Sequence, residues 1–253
     1  MPQEAAFITG APLTHLSQFY FQHQMSGQTK YAPGDKMVSL IADNYQLIQV
    51  MSRFGIPMGF GDMTVEEVCA ANGVDCSTFL AVVNFMIEGY SNFDGGSEVS
   101  VKALLHYLRQ SHIYFLDYCL PAIRRKLLEG ISLRTTDVSF LILKFFDEYM
   151  HEVKVHMDYE EMTVFEYVNA LLKGESAENY KIATYSEHHD LVSTKLKELK
   201  SIIIKYCPKD ANTNLLNDAL YDIYRCETEL ESHCHVEDCL LVPAIMHMER
   251  DRH

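Results

Sequence analysis

A chain of 253 residues suits one large domain, or a medium domain with a small companion. Its net charge of −14 argues against nucleic acid or an anionic membrane surface as the main partner. No apolar run is long enough to span a bilayer, no secretory leader is evident, and the seven cysteines form no CxxC pattern, so free thiols in the cytoplasm are expected.

Taken in chain order, residues 1–34 are weakly patterned. Gly10, Pro12, Gly27, Pro33 and Gly34 interrupt them, which predicts a flexible N-terminal arm. Residues 35–92 read as a small helical domain. Met37, Leu40, Ile41, Tyr45, Leu47, Ile48 and Met51 form one apolar helical stripe, ended by Gly55 and Pro57. Thr64 and Glu67 have the spacing of a capping box, and Gly73 stops the helix that follows. Ser77 is the expected cap of a further helix that buries Phe79, Leu80, Val83, Phe85 and Met86. Residues 91–97 read as a linker.

From residue 100 to 248 the pattern changes to four long helices. The first covers about 100–130, with a kink or local unwinding expected at Pro121. The second covers about 136–173, the third about 176–206 and the fourth about 212–248. Short connections favour an up-down-up-down four-helix bundle. The expected fold is therefore all-α, a bundle preceded by a small helical domain.

The most specific signal is a repeated phrase. His156 and Glu160 are four residues apart, as are His233 and Glu237, and an acid follows each glutamate (Glu161, Asp238). Residues four apart share one helix face, so each pair sets an imidazole beside a carboxylate. Each of the four helices carries histidine near its middle: His112 on the first, His151 and His156 on the second, His188 and His189 on the third, His233 on the fourth. Buried imidazoles and carboxylates need partners, and a metal satisfies all of them at once. The predicted donors are His112, His156, Glu160, His189, His233 and Glu237. His189 is preferred to His188 because it shares a face with Leu196. His151 is a further candidate, about 140° around the helix from His156. His106 reads as structural, and His235, Glu161 and Asp238 as solvated. Imidazoles with two carboxylates suit iron or manganese better than a closed zinc site, and an incomplete shell leaves a position for a small ligand. No nucleophile–base pair or phosphate loop is visible, so no catalytic residue is named.

These residues resemble the hemerythrin-like (HHE cation-binding) domain, and in particular the repair-of-iron-centres proteins. Ser111-His112 through Leu120-Pro121 is similar to the first ligand helix of that family. His156-x-x-x-Glu160 and His233-x-x-x-Glu237 match its two histidine and bridging-glutamate motifs, and Glu187-His188-His189-Asp190 its third-helix segment. Phe54 to Asp62, followed by Thr64 to Cys69, resembles its small N-terminal domain. The resemblance implies two non-haem iron ions with an oxo or hydroxo bridge, dioxygen, nitric oxide or peroxide as ligand, and damaged iron–sulfur proteins as clients. It implies a role in nitrosative or oxidative stress, or else reversible ligand or iron binding without repair. It also suggests a homodimer through the small domain. Two features differ from the family: Gly55 to Asp62 holds no cysteine pair, and residues 113–150 hold no fifth histidine.

Overall fold

The structure is a computed structural model that describes residues 30–88, 99–131, 137–175, 180–185, 191–209 and 211–251. The predicted N-terminal arm up to residue 29, the whole linker at 91–97, and both His188 and His189 lie outside the described residues. Among the described residues the fold is helical and holds no strand, only an isolated bridge between Lys36 and Thr64.

The apolar stripe expected to make one helix makes two, α1 (Met37–Asp43) and α2 (Leu47–Arg53). Asn44 separates them. Its backbone is extended (φ −143°), and its Oδ1 accepts a hydrogen bond from the Gln46 amide at 3.1 Å. Asparagine here offers the backbone an alternative to the helical bond, which spacing of apolar residues does not reveal. α3 (Val65–Asn72) carries the predicted capping box, with both Thr64–Glu67 bonds formed, and ends at Gly73 in the left-handed region (φ 66°). α4 (Cys76–Glu88) is capped by Asp75, not by Ser77: the Asp75 carboxylate accepts from the Thr78 amide at 2.7 Å.

The first bundle helix runs through α5 (Val101–Ile113), a π-helical segment (Tyr114–Cys119) and α6 (Leu120–Gly130). The second runs through α7 (Asp137–Tyr159), a π segment (Glu160–Val164) and α8 (Phe165–Leu172). The third is α9 (Leu191–Tyr206); its expected start at 176 lies outside the described residues, and Ile182–Thr184 form a 3₁₀ turn. The fourth runs through α10 (Thr213–Val236), a π segment (Glu237–Leu241) and α11 (Val242–Arg250). Helix one packs on two, two on three, three on four and four on one, which closes a ring.

At Pro121 the helix is locally unwound, one of the two expected outcomes. The proline sits in the first turn of α6, directly after a π segment, and Pro243 repeats the arrangement in α11. Proline lacks an N–H, and its ring crowds the carbonyl four residues back. The wider π turn relieves that crowding without breaking the rod.

The apolar interior is divided. One block joins α1–α4 to the ends of three bundle helices, through Leu104, Leu108, Val164, Phe165, Val236 and Leu241 among others. The second fills the rest of the bundle, with Phe115, Ile123, Phe146, Met157, Leu199 and Ile223. Each fully buried side chain of this kind contributes roughly 1.5–3 kcal/mol. Arg53, the last residue of α2, reaches across from the small helices into the bundle and is 3% exposed. It pairs with Glu229 at 3.0 Å and lies 5.1 Å over the rings of both Tyr114 and Phe115. The boundary between the blocks falls at residues 108–115, 157–164 and 230–236 of three different helices. A polar layer occupies it.

Candidate metal centre

That layer is built where the helices change pitch. The three π segments start just after His112, at Glu160 and at Glu237. A π turn inserts an extra residue into the helix and re-aims the side chains beside it, which is why such turns gather at functional sites.

His112, Glu160, His233 and Glu237 are all buried, and their donor atoms lie within 4.8 Å of one another. His156, Cys234 and Glu237 form a second such group. Glu237 belongs to both. Glu160 also faces both ways: its Oε2 is 3.2 Å from His112 Nε2, and its Oε1 is 3.0 Å from His156 Nε2. His233 Nε2 stands 3.3 Å from Glu237 Oε1. Neither Glu160 nor Glu237 exposes any surface.

Aromatic rings wall the layer. Phe165 stacks on His112 with centroids 5.4 Å apart, and Phe115 meets His233 edge-on at 6.0 Å. On its far side His112 is held by Glu161, whose Oε1 is 3.0 Å from Nδ1, and Arg109 Nε in turn donates to Glu161 at 3.0 Å. A carboxylate on the second ring nitrogen sets the orientation and basicity of a metal-binding histidine. Tyr185, buried at 1% exposure, donates its hydroxyl proton to Glu160 Oε1 at 2.5 Å.

The two central imidazoles are set in opposite directions. Burial lowers the His112 pKa, but the hydrogen bonds with Glu160 and Glu161 outweigh it and hold the group at about 9. Burial, with the charge on His112 beside it, pushes His233 well below its ordinary range. Burial also raises the Tyr185 hydroxyl, as do the charges of Glu237 and Glu160, so it stays a proton donor.

A cation fits this arrangement. His233 is 1% exposed, and neither of its ring nitrogens makes a hydrogen bond. Leaving such a group unsatisfied costs about 1–3 kcal/mol, which a coordinated ion removes. His233 is held neutral, the form in which imidazole ligates. Two buried carboxylates supply the opposite charge.

The structure thus brings together His112, His156, Glu160, His233 and Glu237. It does not bring His151 to them. That residue is exposed and lines a surface depression with Arg124, Asp147, Glu148 and Lys195. His188 and His189 lie outside the described residues. His106 is exposed rather than structural. Glu161, expected to be solvated, is held between His112 and Arg109, and Asp238 is half-buried. Sequence reasoning missed Cys234 and Tyr185. Cys234 stands three residues before Glu237, so the helical spacing was there to be read. Tyr185 follows a 3₁₀ turn, where no periodicity marks an inward side chain.

A search of the curated proteins finds no match to the chain. The family model for the hemerythrin HHE cation-binding domain matches residues 103–245, more than half of the chain and all of the polar layer just described. The chain belongs to the hemerythrin HHE cation-binding family.

Proposed function

We propose that the polar layer holds two iron ions, and that the protein binds a small neutral ligand there: dioxygen, nitric oxide or peroxide. One observation carries this reading. Glu237 is common to both donor groups, and the two oxygens of Glu160 face one histidine from each. A carboxylate with one oxygen toward each of two positions is a bridge, and two such bridges offset the repulsion between neighbouring cations. In this reading His112 and His233 serve one position and His156 the other. His189, or its neighbour His188, completes the set.

Bound iron would supply an open coordination position and a change of oxidation state. The chain does the rest. Glu161 and Arg109 hold the His112 ring in place, Phe165 covers that ring, and Phe115 covers His233. The Tyr185 hydroxyl donates a hydrogen bond to Glu160 Oε1 and can share it with a ligand that gains negative charge.

The finer reading is cytoplasmic repair of damaged iron–sulfur proteins under nitrosative or oxidative stress. What supports it is residues 35–92, which we take as a small N-terminal domain before the bundle at 100–248. Its helices share one apolar block with the helix ends beside the polar layer, and simple storage needs only the bundle. The second reading is reversible ligand or iron binding without repair. It is favoured by the zero exposure of Glu160 and Glu237, a setting that holds iron rather than passing it on. Protein from iron-supplemented cells should carry about two iron per chain, against one or none if the layer is not dinuclear. Reactivation of a nitrosylated cluster enzyme by that protein supports repair; rapid ligand binding and release without reactivation supports the second reading. Sedimentation tests the proposed homodimer, for which Tyr45 (73% exposed) and Met58 (63% exposed) offer apolar surface.

A further inference from the structure

We propose that Cys234 is a metal donor, its Sγ serving the position shared with His156 and Glu237. The inference deepens the dinuclear reading and rests on it.

The first observation is convergence. The sulfur, a histidine nitrogen of His156 and a carboxylate oxygen of Glu237 lie within 4.8 Å of one another, although His156 comes from a different helix. Cys234 and Glu237 are three residues apart on the fourth bundle helix and therefore project from one face. His156 meets them from the second. Three donor atoms of three chemical types aimed at a common point can share a cation.

The second observation is what the sulfur does not do. Cys69, Cys119 and Cys226 are buried within the two apolar blocks, and Cys76, Cys207 and Cys239 pack against them. A cysteine that behaves as a small apolar residue is found in such places. Cys234 belongs to neither block. It lies in the polar layer between them, directly after His233, whose ring is buried without a hydrogen bond. Packing accounts for six of the seven cysteines and leaves this one to the site.

Sulfur, imidazole nitrogen and carboxylate oxygen together form a softer set than the imidazoles and carboxylates of the neighbouring position. The two positions are then chemically unequal. Binding converts the thiol to a thiolate: the S–H bond breaks, the sulfur pair goes to the metal, and the proton leaves to solvent. No oxidant or reductant takes part.

The test uses the full chain, freed of metal and reloaded with cobalt(II). X-ray absorption at the cobalt edge should show one sulfur neighbour per chain at about 2.3 Å, with a thiolate-to-metal charge-transfer band in the near ultraviolet. Cys234→Ser should abolish both while Cys207→Ser leaves both in place. Two cobalt per chain with only nitrogen and oxygen neighbours overturns the thiolate and leaves the dinuclear reading standing. One cobalt with a sulfur neighbour keeps the thiolate and removes the second metal. A sulfur signal that survives Cys234→Ser overturns the assignment. Should that variant fail to fold, the wild-type sulfur count still decides, because a count of zero rejects the proposal.

Discussion

Replacing Glu161 by glutamine should weaken metal binding, but only at high pH. In the metal-free chain the His112 imidazole is held at about 9 by Glu160 and Glu161. At pH 7 that ring is protonated, and a metal must displace the proton, at a cost of about one hundredfold in affinity for two pH units. His112 alone should therefore contribute about tenfold in wild-type affinity per pH unit, a contribution that ends near pH 9. Glu161→Gln exchanges a charge-assisted bond on Nδ1 for a neutral one, a loss of roughly 1–1.5 kcal/mol, or about tenfold. The same exchange lowers the His112 pKa, so the competing proton is held less tightly. Near pH 7 the two effects oppose, and the variant should bind almost as well as the wild type. Above pH 9 the proton no longer competes, and the full loss of about tenfold should appear, the lower end of what removing a carboxylate behind a metal-bound histidine costs. Chelator-competition titrations with zinc or cobalt from pH 6.5 to 9.5 measure this directly. Parallel pH profiles for the two proteins would refute the argument. So would a loss largest at low pH.

Glu237→Ala should lower iron content far more than Glu161→Ala, because Glu237 belongs to both donor groups and Glu161 acts only through His112; equal losses by metal analysis would reject that division. Glu229→Ala should destabilise the fold by roughly 3–5 kcal/mol, since it strands Arg53, 3% exposed, without its 3.0 Å partner. Urea denaturation reads this, and a loss below about 1 kcal/mol would mean that Arg53 finds another anion. Gly130→Ala would put a Cβ 2.9 Å from Leu216 Cδ2 and 3.3 Å from Leu215 Cβ. Overpacking of this kind costs about 1–3 kcal/mol, only partly offset by the helix propensity of alanine. A raised melting temperature would show that Leu216 moves aside freely.

The two His-x-x-x-Glu pairs were legible because a helix turns a four-residue spacing into a shared face, and that geometry survives any tertiary packing. His112 could be placed by its position on a helix of matching length. The long bundle helices and the Thr64 cap were legible for the same local reason. What lay beyond reach was set by contacts between segments distant in the chain. Glu161 was expected in solvent because it neighbours an inward Glu160, yet Arg109 and His112 of another helix draw it in. The split between α1 and α2 hangs on one side-chain bond from Asn44. The π segments left only a faint trace, the prolines at 121 and 243, and the third, at Glu160–Val164, has no proline at all. Tyr185 carries no periodic mark because it is not in a helix.

The polar layer lies between two oily blocks, and its two central carboxylates never meet water. A ligand that reaches those carboxylates leaves bulk water behind. A gas molecule does so at little expense, because it has almost no hydration to surrender. An inorganic anion must shed its water shell first, a penalty that runs to tens of kcal/mol for a bare charge in an apolar medium. In the proposed reading, burial of the two carboxylates thus favours nitric oxide over nitrite before any bond is made.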